Sequence, residues 1–579
     1  MQKTKHLLKP TLSITLFLCT TFFIVAQSPK KIQFTGAARS ILGNNEIIVK
    51  DVAPDTITAK KNSGGYALID LGFNITPNKN TEILGMIRIK NAFGGFYGGG
   101  VTFDVRQLYI KGVIGDIIRY QVGDINYKLT PYTFYNSDEE TMLTEPGVFK
   151  LQKDIVNYET FYQKNTWRQQ GASIDFALQF AKIIKEIKFN GFLTRINATD
   201  FTTVPERFYA GGNVGIQQSN NLFVGFNYVN LFDLIGTAPN NNNGYRNYVS
   251  SINFEVKKEN EKYYAGILGE TGISKAYYTS DTLDPNLEDS FLDLAIAFKY
   301  KPIHTKIKIG YMDVGPDFRS AGAQSKRLNY NGLTTSSLYQ RYRNDQSSRP
   351  LGMLDIMQDA SLYNKSISSG LMAYNPAYNN VLPYGNATFN RKGIYVKLDF
   401  ADKKEILNVT ADAYFLNEIR GQGTSLLKSY GLYKANMVFN ADKLFNWKNG
   451  LKLTGGIALQ STNRDKGEKF DAISLNSTMW NVGLEIEVVK NLDLMGGIMT
   501  IDAKGNEFMA IRNVYSDVTD LKDMVLNTSE TIVGGGLRFR FNEKTYLSAL
   551  AQKYSYEDKL KQHVNYEINQ FMIIFNLKF

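Results

Sequence analysis

The segment NYEINQFMIIFNLKF, residues 565–579, ends the chain on alternating apolar side chains. Apolar residues occupy every second position from 571 to the end: Phe571, Ile573, Phe575, Leu577 and Phe579. Successive side chains of a β-strand point to opposite faces, so this two-residue period indicates a strand with one apolar face. The pattern continues for about ten residues, whereas most strands of soluble sheets have about five to six. Ten residues is the length of a tilted membrane-spanning strand.

The same period recurs along the whole chain. Residues 65–76, GYALIDLGFNIT, place five apolar side chains on one side and Tyr66, Asp70, Gly72 and Asn74 on the other. Similar segments are TEILGMIRIK (81–90), GIYVKLDF (393–400), LKLTGGIAL (451–459), VGLEIEVV (482–489) and LRFRF (537–541). About 22 segments follow this pattern, which is typical of strands with one face in an apolar environment.

The connections between these segments alternate between short and long. Short ones include TPNKN (76–80), VIGD (113–116), KKENEK (257–262), KPIH (301–304) and FNEK (541–544). Long ones include residues 43–63, 128–167, 275–288, 316–391 and 503–528. Membrane barrels have tight periplasmic turns and longer outer loops. We therefore predict an all-β fold, an up-and-down antiparallel transmembrane barrel of about 22 strands within a range of roughly 18 to 24. A periplasmic sandwich or propeller is the alternative.

The first 26 residues predict a Sec signal peptide. The basic segment MQKTKHLLK precedes the apolar run LSITLFLCTTFFIV, and cleavage is expected after Ala26. Cys19 is the only cysteine and lies in that run, so the exported chain would have no thiol. This excludes disulfides, thiolate zinc sites and cysteine nucleophiles. Export and the barrel pattern together predict the outer membrane, with its lipid around the barrel.

Two segments resemble known outer-membrane proteins. Residues 565–579 resemble the C-terminal recognition strand of Gram-negative outer-membrane barrels, which ends in an aromatic residue after alternating apolar positions. The pair VTFDVRQLYIKG (101–112) and IIRYQVGDINYK (117–128) resembles strands of general-diffusion and substrate-specific porins. In the first of these, the alternation shifts near Arg106 and Gln107, and a β-bulge there would restore it.

The domain organisation is expected to be simple. Residues 27–579 are predicted to form a single barrel domain with a long loop insertion at 316–391. Only QSPKK separates the expected cleavage site from the first candidate strand, which leaves no room for an N-terminal plug and argues against a TonB-dependent receptor. No assembly-factor or peptidoglycan-binding domain is expected at either end.

Catalysis and metal binding are disfavoured. His304 and His563 are the histidines beyond the signal peptide, and they should lie at opposite ends of the barrel without a serine and carboxylate set. The acidic residues Asp138, Glu139, Glu140 and Glu145 in an outer loop lack EF-hand spacing, so a solvated loop is favoured over a calcium site. We therefore expect no enzyme activity, metal or cofactor.

The polar faces of the strands should line the lumen, and basic side chains dominate there. The pore-lining candidates are Arg88, Lys90, Asp104, Arg106, Arg119, Lys306, Lys308, Lys397, Asp399, Glu485, Glu487, Arg538 and Arg540. A basic lumen would favour anions. Cross-strand pairing that stiffens the wall is the alternative role of these charges. Nucleic-acid binding is disfavoured, because the basic residues alternate with lipid-facing ones and form no surface stripe.

Residues 316–391 are the longest connection and the best candidate for a functional loop. Arg327, Arg341 and Arg343 are its constriction candidates. An inward fold would narrow the pore, whereas an outward fold would offer a lid or a partner-binding surface.

We interpret the protein as a porin-like channel for passive diffusion of small polar solutes, with anionic or sugar-like solutes as candidates. The alternative is a non-enzymatic barrel subunit or scaffold of a secretion or assembly complex, or a surface-binding protein whose outer loops dock a protein partner.

Overall fold

The computed structural model describes most of the chain beyond the predicted signal peptide. The described residues are 32–50, 59–94, 101–137, 143–159, 167–241, 243–279, 286–324, 326–328, 365–367, 369–371, 374–465, 471–512 and 518–579. The signal peptide predicted over residues 1–26 lies outside them.

The main structure is a closed antiparallel β-barrel of 22 strands. Its first strands are β1 (Ile32–Val49), β2 (Ala59–Asn78), β3 (Thr81–Ala92), β4 (Val101–Ile114), β5 (Ile118–Tyr127), β6 (Trp167–Gln179), β7 (Glu186–Asn197), β8 (Glu206–Gln217), β9 (Leu222–Leu234), β10 (Tyr245–Glu259), β11 (Tyr263–Tyr278), β12 (Leu287–Tyr300) and β13 (Thr305–Val314). The wall continues with β16 (Arg391–Ala401), β17 (Leu407–Asn417), β18 (Ser429–Asn440), β19 (Leu451–Arg464), β20 (Ile473–Val489), β21 (Leu492–Arg512), β22 (Val518–Asn542), β23 (Thr545–Asp558) and β24 (Tyr566–Lys578).

The barrel closes because β1 pairs with both β2 and β24. Between β13 and β16, the short strands β14 (Lys326–Leu328) and β15 (Lys365–Ile367) pair only with each other. Four α-helices are described, α1 (Gly147–Glu159), α2 (Ala321–Gln324), α3 (Pro376–Asn379) and α4 (Ala441–Phe445), together with two 3₁₀ turns at Lys301–Ile303 and Gly385–Ala387. The predicted fold class and strand number are confirmed.

The last strand shows how the wall separates two environments. Phe571 and Phe575 are 47% and 37% exposed on the outer face of β24, whereas Met572 and Ile574 are 5% and 0% exposed on its inner face. Apolar side chains on neighbouring outer faces, such as Leu547 and Leu42, continue this surface. The outer face is therefore an apolar band around the barrel, as a lipid environment requires. Among the described residues, no helix is long and apolar enough to span a membrane.

Tight turns join the strands at one end of the barrel, which we call the short-turn end. Examples are the connections from Asn78 to Thr81 and from Val489 to Leu492. Both ends of the wall also lie there, since Ala37 near the start of β1 pairs with Lys578. The opposite end carries the longer connections and is called the long-loop end.

The predictions of long loops at residues 43–63 and 503–528 are wrong, because strands occupy most of both segments. β1 and β2 pair through Ile48 and Ala59, and β21 and β22 pair as far as Arg512 and Val518. The alternation of apolar residues ends where the strands extend beyond the apolar band. The strands nevertheless continue there, because their backbone hydrogen bonds do not depend on apolar side chains. Cross-strand ion pairs such as Lys61 with Glu46, 3.0 Å apart, replace apolar contacts there.

The predicted β-bulge lies in β4. The pairing register with β3 runs from Met86 opposite Gln107 to Ile87 opposite Val105, which leaves Arg106 without a partner in the ladder. The bulge restores the phase, since Val105 and Leu108 are 70% and 54% exposed on the outer face. Arg106 points inward and is buried.

Candidate functional site: the barrel interior

The described parts of the connection from β5 to β6, residues 128–137 and 143–159, lie inside the barrel. Tyr132 is 1% exposed, stacks on Phe291 with ring centroids 4.0 Å apart, and donates its hydroxyl to Asp293 at 3.0 Å. Thr130 donates to Glu270 on β11 at 2.6 Å. Burial raises the pKa of Tyr132 well above its usual value, so this phenol stays a neutral donor. Residues 129–137 are thus fixed to the inner wall.

The same connection continues along the opposite wall. The amide of Thr144 donates to Asn436 on β18 at 2.7 Å, and Asn481 on β20 donates to the carbonyl of Thr144 at 3.0 Å. Helix α1 follows, with Val148 and Phe149 fully buried against β20–β24. The inserted chain therefore follows the wall across the seam between β24 and β1.

Glycines in the wall allow this close approach. A Cβ atom on Gly497 would lie 2.8 Å from Pro146, and one on Gly534 would lie 2.8 Å from the ring of Phe149. Real Cβ atoms do not approach other atoms so closely. The helix can therefore pack directly on the backbone of β21 and β22.

The C-terminal end of α1 is held by three wall arginines, Arg39, Arg88 and Arg106. Arg88 donates to the carbonyl of Glu159 at 2.8 Å, and Arg106 donates to the carbonyl of Tyr158. The last carbonyls of a helix lack partners within it and carry partial negative charge, which cations stabilise.

Two carboxylates complete this group. Arg39 pairs with the Glu159 side chain at 2.8 Å. Asp70, which is 0% exposed, accepts from both Nε and Nη2 of Arg88 at 2.7 and 2.8 Å and also from Arg106. We call these five residues, Arg39, Asp70, Arg88, Arg106 and Glu159, the arginine clamp.

The predicted loop insertion at 316–391 also turns inward at its described ends. Ser320 donates to the carbonyl of Thr133 at 3.1 Å, so the two inserted connections touch each other. Asn247 on β10 donates to the carbonyl of Arg319 at 3.0 Å. Helix α2 is entirely buried.

The other end of this insertion packs on the opposite wall. Asn380 donates to Glu507 on β21 at 2.6 Å, and Gln460 on β19 donates to the carbonyl of Tyr378 at 2.8 Å. Of the constriction candidates, Arg327 has its backbone in β14, whereas Arg341 and Arg343 lie outside the described residues.

The cross-strand register places the pore-lining candidates on the inner face, but they differ in surroundings. Arg88 and Arg106 are buried beneath the end of α1. The exposed ones are Asp104, Arg119, Lys306 and Asp399, and the half-buried ones are Lys90, Lys308, Lys397, Glu485, Glu487, Arg538 and Arg540. Their role in lining a solute path stays a prediction.

Charges near the short-turn end form two contrasting groups. On β20–β22, Arg538 lies 2.9 Å from Asp493, and Arg540 lies 2.9 Å from Glu487. This group is a network of opposite charges. Elsewhere on the inner wall, Lys308 and Lys397 lie side by side on β13 and β16. Both ammonium groups approach the ring of Tyr395, at 5.3 and 5.9 Å.

Some interior residues were missed by sequence reasoning. Asp70 was assigned to the polar face of its strand but not singled out, although it lies at the centre of the arginine clamp. Helix α1 falls in a stretch taken as loop. Its apolar residues Val148, Leu151 and Ile155 have the three-to-four spacing of an amphipathic helix, a signal that could have identified it.

The histidines and acidic residues are placed as follows. His304 lies in the turn between β12 and β13, and His563 lies between β23 and β24 with its Nδ1 3.0 Å from Asp558. They are thus at opposite ends of the barrel. Glu145 is buried with Lys153 3.7 Å away, while Asp138, Glu139 and Glu140 lie outside the described residues. The described part of the chain contains no group of three or more residues arranged to hold a metal ion.

Comparison with known proteins gives structural likeness only. No protein-family model and no curated protein matches this chain. Matching solved structures include the outer membrane protein opdK from Pseudomonas aeruginosa, 7% identical, covering 94% of this chain and 99% of that chain with a TM-score of 0.34. A BenF-like porin from Pseudomonas fluorescens is 8% identical over 94% and 98% of the two chains, with a TM-score of 0.32. The FrpB iron transporter from Neisseria meningitidis is 10% identical over 94% and 81%, with a TM-score of 0.45.

Proposed function

We propose that this protein is a porin-like channel of the outer membrane that passes small polar solutes by diffusion and favours anions. The observation that supports this proposal most is that the described parts of two connections lie inside a barrel whose inner face is charged and whose outer face is apolar. A barrel of 16 to 18 strands already leaves an aqueous channel, so a wider one needs inserted chain to limit its bore. The connections at 128–166 and 316–391 would supply that limit.

The inserted segments are held by polar contacts with the wall, which supports a narrowed solute path through the barrel more than a lumen that the inserted chain fills completely. Polar side chains of the wall, such as Asp293, Glu270 and Asn436, accept hydrogen bonds from the inserted chain. Exposed inner charges such as Lys306 and Asp399 would meet water toward the short-turn end. Basic side chains lining a pore attract anions through their field.

The apolar band supports the proposed location. With the outer face in lipid, the short-turn end would face the periplasm and the long-loop end the exterior. Export through the Sec pathway, as predicted from residues 1–26, would deliver the chain to this membrane. We expect no enzymatic step in this function.

The competing function is a scaffold that docks a protein partner. The observation that favours it is the length of the β21–β22 hairpin, whose strands have 21 and 25 residues and extend beyond the apolar band. Such a projecting hairpin would offer exposed strand surface at the long-loop end.

Single-channel recording in a planar bilayer distinguishes the two functions. We expect stable, small conductance steps from the purified mature protein, with reversal potentials under a salt gradient that indicate anion preference. Circular dichroism would first establish that the preparation is folded. A folded protein that stays electrically silent and co-purifies with a fixed partner would contradict the channel and favour the scaffold.

A further inference from the structure

Three buried arginines gather inside the long-loop end of the barrel, and we call them the mouth arginines. Arg319 lies before α2, Arg391 begins β16, and Arg464 ends β19. They are 5%, 6% and 4% exposed. All three lie where the inserted connection of residues 315–390 meets the wall.

The donors of these arginines are directed to backbone oxygens. Arg391 donates to the carbonyls of Asn390, Val381 and Asn380 at 3.1, 3.2 and 3.2 Å. Arg319 donates through Nη1 to the carbonyl of Phe318 at 2.8 Å, and Arg464 donates through Nε to the carbonyl of Asp471 at 2.6 Å. These acceptors are neutral, so the hydrogen bonds to them do not offset the positive charge of the guanidinium groups.

Some donors have no acceptor within the described part of the chain. The Nε of Arg319 and the Nη1 of Arg464 are buried there without a hydrogen-bond partner. Buried polar groups are nearly always satisfied, so an orphaned guanidinium N–H calls for an acceptor. Among the described residues, no carboxylate lies within ion-pair distance of Arg319, Arg391 or Arg464.

Nearby acids already serve other cations. Glu507 pairs with Lys428 at 2.7 Å, and Asp317 pairs with Arg420 at 2.6 Å. Burial raises the pKa of Glu418, and the charges of Lys428, Arg391 and Arg464 oppose this rise, so one carboxyl is shared among several cations. Burial and then the charge of Arg512 lower the pKa of Arg319 to about 10. The region is therefore richer in positive than in negative charge.

Aromatic rings border the mouth arginines. The guanidinium carbon of Arg319 lies 4.5 Å from the ring centroid of Phe389, and that of Arg391 lies 3.6 Å from the ring of Tyr430. Tyr384 stacks on Phe389 at 6.0 Å, and Tyr374 meets Tyr384 edge-on at 6.0 Å. Burial raises the pKa of Tyr374 to about 12, so it remains a neutral hydroxyl.

We propose that the mouth arginines bind the oxyanion of a small solute, a carboxylate or phosphate group, with Tyr374 and Tyr384 contacting its uncharged part. Guanidinium groups present planar N–H pairs that match the geometry of such oxyanions. The biological role of this site rests on the proposed channel function, since it would lie where a solute enters the interior from the long-loop end. It would concentrate anions at the long-loop end of the barrel interior.

Equilibrium dialysis of the folded mature protein against radiolabelled inorganic phosphate tests this site. We expect saturable binding, which the variants R319Q and R464Q each weaken by about tenfold, because each removes charged donors to the oxyanion. The matched control is R246Q, since Arg246 is exposed on the outer face of β10 near the same end and should leave binding unchanged. If a glutamine variant does not fold, the corresponding lysine variant, R319K or R464K, is tested in its place, because lysine keeps the positive charge. Its compact ammonium group should still weaken binding.

Two results would overturn the site. One is a folded wild type without saturable phosphate binding, and the other is binding that all four arginine variants retain at wild-type strength. Conductance of the same preparations separates this inference from the proposed function. If the protein conducts but does not bind phosphate, only the proposed anion site is contradicted. If it binds phosphate but does not conduct, only the proposed channel function is contradicted.

Discussion

Arg106 of the β4 bulge lies over the ring of Tyr158 in α1, with its guanidinium carbon 3.7 Å from the ring centroid. The bulge residue has no partner in the β-ladder, so its side chain can reach inward to a helix that lies inside the barrel. Arg39 and Arg88 approach the same ring at 5.3 and 6.0 Å. An irregularity in the wall is thus the place where the inserted chain is fixed.

Asp70→Asn should loosen the arginine clamp. Asp70 is fully buried and compensates Arg88 and Arg106, so its loss leaves two buried cations underpaired. Breaking a buried pair typically costs about 3–5 kcal/mol. We expect a lower free energy of unfolding in urea, faster proteolysis near residue 159, and larger or more frequent conductance steps.

The matched control for this change is Asp175→Asn, which removes an ion pair of the same type with Arg119. Those side chains are 39% and 71% exposed, so the cost should be about 0–1 kcal/mol. If the two substitutions lower the free energy of unfolding equally, burial of the arginine clamp does not increase the stability that its ion pairs provide.

Gly497→Val should displace α1 from the wall. Its new side chain would point inward, where even a Cβ atom would lie 2.8 Å from Pro146 and 3.1 Å from Val148. Gly496→Val is the control, because Gly496 faces outward and a Cβ there would have its nearest neighbour, the carbonyl oxygen of Gly534, at 4.0 Å. We expect Gly497→Val to increase conductance and protease access to residues 143–159. Identical behaviour of the two valine variants would contradict this packing.

Lys397→Glu should reduce anion preference. Lys397 lies beside Lys308 on the inner face, so the change replaces one of two adjacent positive charges with a negative one. The reversal potential under a salt gradient should shift toward that of a cation-selective pore. Lys504→Glu makes the same charge change on the outer face of β21 and should leave the reversal potential near the wild-type value. A pore whose selectivity responds equally to both changes would not use its inner charges in this way.

Asp200 should control the β7–β8 connection through its ionised form. Its Oδ1 accepts from the amides of Thr202, Thr203 and Val204 at 2.8, 2.7 and 2.8 Å. The Thr203 hydroxyl and these amides hold the pKa of Asp200 below its usual value. A folded pKa below the unfolded value contributes stability above the unfolded pKa of about 3.9, and this stability is lost as the pH falls through the folded pKa.

NMR of the barrel in detergent micelles can follow this turn. The amide shifts of Thr202 and Thr203 should stay constant from neutral pH to about 3.9 and change only below it. Asp200→Ala should abolish that transition and shift both amides at neutral pH. A transition centred at or above the ordinary aspartate pKa would contradict the hydrogen-bonded turn.

The wall of the barrel could be predicted from the sequence because its signals are local. A two-residue period identifies the outer face wherever one face meets an apolar environment, and turn lengths identify the two ends. The shift of phase around Arg106 also predicted the bulge, since adding one residue is the local way to restore the alternation. Predictions failed at residues 43–63 and 503–528, where polar residues interrupt the two-residue period although the strands continue.

The sequence by itself determined the closed barrel, its apolar outer face and the charges of its inner face, because each depends on the order of neighbouring residues. Only the tertiary structure decided that residues 129–137, residues 143–159 and the described ends of 316–391 lie inside. The contacts that hold them, such as Arg39 with Glu159 and Tyr132 with Asp293, join residues more than 100 positions apart. A polar residue on the inner face has the same local pattern whether it meets water or inserted chain, so the difference lies in long-range packing.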